Sequence, residues 1–180
     1  AQIFSYLNIG RAFTEGAELE FKQNINKHFV FSGGYQYLIT GDKDQIAEIK
    51  AGKVYTRNAS GISTRLTMSD YIGLPNVSKH KVQFKINYSN QKGVFANFRV
   101  IYRSKWAVNN TNGNEVYDNG DDFANSYYSL HSSLGKEYKN GITIQVGADN
   151  INNYIDANHL PNLAGRTYFI NLKYQLKYKP

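Results

Sequence analysis

The sequence predicts an all-β fold, an antiparallel transmembrane β-barrel segment of about eight long strands. Three observations carry that expectation. Apolar and polar residues alternate over stretches of ten or more. The connections switch between tight Asn/Gly turns and long loops. The chain is rich in aromatics yet has no continuous apolar run: 15 of its 180 residues are Tyr and 10 are Phe, while no uninterrupted apolar stretch exceeds three. A membrane-spanning helix needs ~20 predominantly apolar residues, so none is encoded, and neither is a cleavable signal peptide. The absence of Cys removes disulfide scaffolds and thiolate metal sites. With 3 Pro and no low-complexity repeats, a disordered tail is also disfavoured. The mean hydropathy of −0.54 fits a soluble β-domain or a membrane barrel, because a barrel hides its hydrophobicity in alternate residues.

The strands are expected at 2–10, 14–26, 28–40, 79–90, 93–106, 124–138, 141–152 and 166–178. In the fourth, Val82, Phe84, Ile86 and Tyr88 share one face and Lys81, Gln83, Lys85 and Asn87 the other. In the last, Tyr168, Ile170, Leu172, Tyr174, Leu176 and Tyr178 alternate with Asn171, Lys173, Gln175 and Lys177. A helix would scatter those apolar residues around its axis. Most segments exceed the ~5–6 residues of a globular strand and match a tilted membrane strand of ~9–11 residues with an extension. Asn26-Lys27, Asn90-Gln91-Lys92-Gly93 and Lys139-Asn140-Gly141 are tight turns. Loops 41–78, 107–123 and 153–165, with a short link at 11–13, lie between them. Short turns on one rim and long loops on the other is the plan of outer-membrane barrels.

The other faces agree. Phe29, Phe31, Gly33, Tyr35, Tyr37 and Ile39 oppose Ser32, Gln36 and Thr40; Val94, Ala96, Phe98, Val100 and Tyr102 oppose Asn97, Arg99 and Arg103. Ile142, Ile144, Val146 and Ala148 oppose Thr143, Gln145 and Asp149. Charges inside strands need water or partners, which a wet lumen supplies. Tyr37, Tyr88, Tyr102, Tyr138, Tyr174 and Tyr178 near strand ends fit interfacial girdles. A soluble β-sandwich with one wet face is the alternative. The chain begins without Met inside an expected strand, as a processed protein or a segment of a larger one does.

The last forty residues carry motifs. Val146-Gly147-Ala148-Asp149-Asn150-Ile151-Asn152-Asn153-Tyr154 is followed by Ala164-Gly165-Arg166-Thr167-Tyr168-Phe169-Ile170. This resembles the C-terminal end of TonB-dependent outer-membrane receptors, in which "V-x-N-L-x-(D/N)-x-x-Y" precedes a loop and "P-G-R" opens the last strand. Ile151 stands where Leu is usual and Ala164 where Pro is. Asn8 to Leu19 resembles the family's "N-x-G-x-(A/S)" hairpin, and Leu74 to Lys81 its "N-(V/A)-P-x-H" approach to a strand, with Ser78 in the Pro place. The resemblance implies the last part of a 22-stranded barrel. It also implies an N-terminal plug domain and TonB box, neither of which has a counterpart in this chain, and energy delivered by TonB through that plug. Function would be active import of a large scarce solute across the bacterial outer membrane. The Gly165-Arg166-Thr167 ending looks more like cobalamin, haem and siderophore receptors than glycan importers. Implied partners are TonB, the rest of the receptor barrel, lipid and lipopolysaccharide, and a surface lipoprotein lid. The abundance of Asn, Lys and Tyr suits a Bacteroidetes-type source. Asn150, Tyr154, Gly165, Arg166 and Tyr168 form the expected barrel-closing motif, with Gly165 giving a tight start to the strand and Arg166 free to bind carboxylates, a neighbouring loop or water.

Dedicated chemistry is sparse. His28, His80, His131 and His159 show no zinc spacing, and no metal, cofactor or catalytic residue is expected. His159 shares a loop with Tyr154, Asp156 and Asn158. His131 and Ser133 share a strand face, as in outer-membrane lipid A deacylases, which are eight-stranded barrels. A self-contained eight-stranded barrel, lipid A-modifying or structural, is therefore the alternative function. Against the enzyme, the pair faces inward and only Glu137 offers a nearby carboxylate on that face; no Ser-His-Asp set stands out. Asp118-Asn119-Gly120-Asp121-Asp122 lacks the full spacing of a calcium loop and reads better as a solvated turn. Lys43, Lys50, Lys53, Arg57 and Arg65 in loop 41–78 either attract anionic groups or form a solvated face. A net charge of +7 is dispersed, which disfavours nucleic acid. Tyr117, Asp121, Asp122, Asn158 and His159 are the expected ligand contacts.

Overall fold

The computed structural model describes residues 10–57 and 60–176. Its elements, in chain order, are β1 (Ala12–Asn24), β2 (Phe29–Asp42), α1 (Lys43–Lys50), β3 (Tyr55–Arg57), β4 (Ser63–Arg65), β5 (His80–Ser89), β6 (Val94–Arg103), β7 (Trp106–Asn109), β8 (Asp122–Ala124), β9 (Tyr127–Glu137), β10 (Ile142–Asp149) and β11 (Thr167–Tyr174). Seven strands form one sheet in the order β1-β2-β5-β6-β9-β10-β11. Each long strand thus neighbours the next long strand in sequence, and the registered pairs are antiparallel. The strand expected at 2–10 lies outside the described residues, as do Asn8, Ile9, Tyr178, Lys179 and Pro180.

The register sorts the side chains. Val82 sits opposite Tyr35 and Tyr102, Phe84 opposite Gly33 and Val100, and Ile86 opposite Phe31 and Phe98. The row continues through Val100–Leu130, Leu134–Val146, Val146–Ile170 and Ile144–Leu172. One face is therefore apolar across the sheet, and it is uncovered: Ile170 is 77% exposed and Leu172 74%. This decides against the soluble sandwich, whose inner faces interdigitate in a core about 10 Å thick. Val82 is itself exposed, and Phe84 and Ile86 are only half-buried. A bare apolar sheet face of this size is stable only against lipid.

Aromatic side chains mark both ends of that face. Toward the tight turns, Phe29 and His28 lie 5.0 and 6.1 Å from the Tyr88 ring, and the Lys136 ammonium sits 5.0 Å over Tyr138. Toward the long loops, the Tyr35 hydroxyl bonds the His80 ring (2.9 Å), Tyr37 packs on the same ring, and Tyr102 faces Tyr128. Rings with one apolar body and one polar edge suit a membrane–water boundary. Gly93 and Gly141 adopt positive φ (78° and 89°) in the tight turns, where a side chain would be strained.

The described chain divides into two compact units. One holds the residues up to 17, 38–79 and 105–125; the other holds 18–37, 80–104 and the residues from 126 onward. Among the described residues, every fully buried hydrophobic side chain belongs to the first unit: Ile49, Leu66, Trp106, Ala107, Val116 and Ala124. Ile49, Leu66 and Val116 form its core, with Val54 and Tyr71 packed against them. The expected loops 41–78 and 107–123 are thus not irregular. The first carries α1, capped by the Asp42 carboxylate accepting from the Asp44 N–H (2.7 Å), and the β3–β4 hairpin. The second is flanked by β7 and β8, which pair with each other. Strand 93–106 ends earlier than expected, at Arg103, and strand 124–138 begins later, at Tyr127, because Trp106 and Ala124 pair in that separate hairpin.

Candidate functional site

Three polar clusters organise the parts of the chain that carry the expected site residues. The first lies in the loop unit. Asp118 is almost fully buried (1% exposed) and its carboxylate accepts from the Asn112 amide (2.9 Å), the Asn114 amide (2.8 Å) and the Gly120 N–H (2.6 Å). Beside it, Asp121 accepts from the Thr111 and Asp118 N–H groups (2.8 and 2.9 Å), and Asp122 accepts from the Asn109 amide (3.0 Å). The expectation of a solvated turn at 118–122 is corrected here: Asp118 is a buried hub that folds the loop. Its oxygens already take three N–H donors, which also disposes of the calcium analogy. Among the described residues no three His, Asp or Glu side chains gather as metal ligands. Tyr117 lies next to this hub, and burial, then the Asp121 charge, pushes its phenol up from the usual value. Of the basic residues expected in loop 41–78, Lys53 pairs with Glu48 (3.1 Å).

The second cluster precedes β11. Asn150 is 4% exposed at positive φ (49°). Its amide donates to the Tyr154 and Ala164 carbonyls (2.8 and 2.9 Å) while its Oδ1 accepts from the Tyr154 N–H (3.0 Å). One side chain therefore clips both ends of the 154–164 loop. Asn153 Oδ1 accepts from the Arg166 N–H (2.8 Å), so the backbone of Arg166 is held while its side chain stays exposed. Gly165 is required for space rather than for a special φ: a Cβ there would press on Asn153 Oδ1 and Ile155. Tyr154 stacks on Tyr127 with ring centres 4.8 Å apart, and Tyr168 is 74% exposed on the apolar face. The Asp156 carboxylate accepts from the His159 N–H (3.1 Å) and faces its ring (3.0 Å). The bond from the His159 backbone is the main cause that lowers the Asp156 pKa. His159 and Asn158 belong to the sheet unit, whereas Tyr117, Asp121 and Asp122 belong to the loop unit. The five expected ligand contacts are thus two groups, not one constellation.

The third cluster was missed from sequence. His131 Nδ1 donates to Asp149 Oδ1 (2.7 Å), and its Nε2 faces the Ser129 hydroxyl (3.0 Å). A carboxylate only accepts, so Nδ1 carries the proton and, in the neutral ring, Nε2 accepts from Ser129. Two expectations are corrected. The partner of His131 is Ser129, because Ser133 instead accepts from Asn97 (3.2 Å) and Gln145 (2.9 Å). The carboxylate is Asp149 from the neighbouring strand, not Glu137 from the same one, so a Ser-His-Asp set does exist. The signal was available. The hairpin centred on Asn140 pairs Ser132 with Ala148, which brings His131 beside Asp149. The set is a lattice of the polar face rather than a hydrolase site, because Ser129 is only 4% exposed and an attacking oxygen must reach its substrate.

A family model described as "TonB dependent receptor-like, beta-barrel" matches residues 1–151. No curated protein matches the chain. Among solved structures, the ferric enterobactin receptor PfeA of Pseudomonas aeruginosa, crystallised as a point mutant, is similar over 92% of this chain and 22% of its own (TM-score 0.61, 14% identity). The ferric yersiniabactin uptake receptor FyuA of Yersinia pestis is similar over 89% of this chain and 22% of its own (TM-score 0.54, 15% identity). The siderophore receptor PiuA of Acinetobacter baumannii is similar over 79% and 18% (TM-score 0.54, 17% identity). At such identities the likeness is one of fold, and the chain spans about a fifth of the length of these receptors. Nothing in these matches bears on a Bacteroidetes-type source.

Proposed function

The chain belongs to the TonB-dependent receptor β-barrel family, whose members are outer-membrane transporters rather than enzymes, and from that premise we propose that it forms the C-terminal wall of a receptor importing a large, scarce solute. A siderophore-like metal chelate is the first candidate cargo, with haem and cobalamin beside it. Energy would come from TonB, through a plug domain that is not among these residues. The observation that carries the reading is the seven-stranded meander with one continuous apolar face and one polar face: lipid on one side and a wet passage on the other is what a transport wall needs. The similar structures are siderophore receptors by name, which supports the choice of cargo. Tyr117, Asp121 and Asp122 on one loop and Asn158 and His159 on another are the proposed outer contacts. Asn150, Tyr154, Gly165, Arg166 and Tyr168 set the start of the closing strand. A surface lipoprotein lid would complete the outer face.

The test is uptake by cells that lack the gene. Radiolabelled ferric siderophores, haem and cobalamin are supplied separately, with and without functional TonB. Loss of uptake of one of them, restored by the intact gene only when TonB works, is the expected result. Unchanged uptake of all three refutes this cargo assignment.

A further inference from the structure

The polar face of the sheet carries an arrangement that neither the fold nor the loop contacts account for. Lys81 lies directly opposite Arg103, and Lys85 directly opposite Arg99, across β5 and β6. Opposed side chains in such a ladder are about 5 Å apart at Cβ, and like charges there destabilise the sheet. The two pairs are four residues apart, about 13 Å along the strand. Lys81, Lys85 and Arg99 are exposed and make no ion pair among the described residues. Arg103 bonds the Tyr127 hydroxyl, which brings no negative charge.

The carboxylates of this face leave the quartet unneutralised. Asp149 is bound to His131, which stands opposite Arg99. Glu18 is bound to the Gln36 amide. Glu20 lines the same hollow as Lys85 and Arg99, yet Lys22 lines it too, so cations outnumber carboxylates there. That hollow encloses about 500 Å³, and a second of about 260 Å³ is lined by Lys85, Arg99 and His131. A guanidinium fork and an ammonium at one cross-strand position are a geometry for two oxygens of a carboxylate or phosphate.

We propose that Lys81, Lys85, Arg99 and Arg103 form an oxyanion-binding wall on the polar face, which holds carboxylate or phosphate groups of the imported solute on its way past the sheet. The proposal rests on the import reading above for its occupant and adds that the cargo carries at least two anionic groups. Those groups span the two cation pairs. The like-charge strain within each pair is relieved when an anion sits between its members.

The test uses the intact receptor in detergent, with pyrophosphate as the probe. Thermal unfolding and calorimetric binding are measured for the native protein, for the double variant Lys85→Gln/Arg99→Gln, and for Lys173→Gln on the same face of β11 as a control. Pyrophosphate is expected to raise the unfolding temperature of the native protein and the control by about 2 °C or more. The double variant is expected to bind about tenfold more weakly or worse, and to unfold at a higher temperature than the native protein when no anion is present. A double variant that is less stable without anion would mean that carboxylates of the protein itself already neutralise the wall, and would overturn the proposal. Equal binding by the native protein and the double variant, or no binding to the native protein, would overturn it as well. Uptake measured in parallel separates the two readings: if transport persists without pyrophosphate binding, the import reading stands and the wall falls.

Discussion

Asn150 shows how one side chain can hold a loop that eight tenths of its neighbours do not explain by packing. It makes three hydrogen bonds in a nearly sealed position and occupies a left-handed backbone conformation that Asn tolerates better than most residues. Replacing it with Ala leaves two carbonyls and one N–H without their partner and adds backbone strain. The expected cost is about 2–4 kcal/mol of local stability, read as faster hydrogen exchange across 150–166 with β5 and β6 unaffected. Asp156 gives a pH dependence at the same scale. Its pKa is lowered in the folded loop, chiefly by the His159 N–H. A carboxyl with a depressed folded pKa contributes stability above its unfolded value, here the ordinary 3.8, and loses it as pH falls through the lower folded value. Protection of the His159 amide is therefore expected to hold at neutral pH and to fade under strongly acidic conditions, and Asp156→Asn should abolish that dependence.

At the scale of elements, the β10–β11 pair depends on small residues set beneath large ones. A Cβ on Gly147 would run into the Phe169 ring and the Ser132 carbonyl, and one on Gly135 into the Phe95 ring. In each case a Phe on one strand lies over a Gly on its neighbour, which fills the polar face without a charge. Gly147→Val should displace Phe169 and loosen β10 against both neighbours. The expected penalty is about 1–3 kcal/mol, seen as a lower unfolding temperature of the folded barrel on semi-native gels, whereas Ala148→Val on the opposite face should be far milder.

For the molecule as a whole, the sidedness of the sheet makes the strongest demand. Ile170 and Asn171 are adjacent in β11 but face opposite ways. Ile170→Arg puts a charge on the lipid side, where the cost reaches about 2–4 kcal/mol near the membrane midplane. Asn171→Arg puts the same charge on the wet side. The first is expected to reduce the amount of assembled protein in outer-membrane fractions severely and the second hardly at all. Equal behaviour of the two would contradict the assignment of faces.

Strand positions, the two faces and the rim asymmetry were legible in the sequence, because side-chain direction in a strand alternates with a period of two and needs no partner to be read. The resemblance carried by residues 146–170 led to the family on the same basis, since local motifs survive in linear order. Three things were decided only by the tertiary structure. Strand pairing joined His131 to Asp149 and opposed Lys85 to Arg99, because both contacts cross between strands and depend on register. Burial turned Asp118 from an apparent surface acid into a hub, because exposure is a property of the surroundings that a residue's neighbours in sequence do not report. Lastly, α1 and the β3–β4 and β7–β8 hairpins arise in stretches too short for periodicity to show, and they persist because Ile49, Leu66 and Val116, far apart in sequence, bury one another.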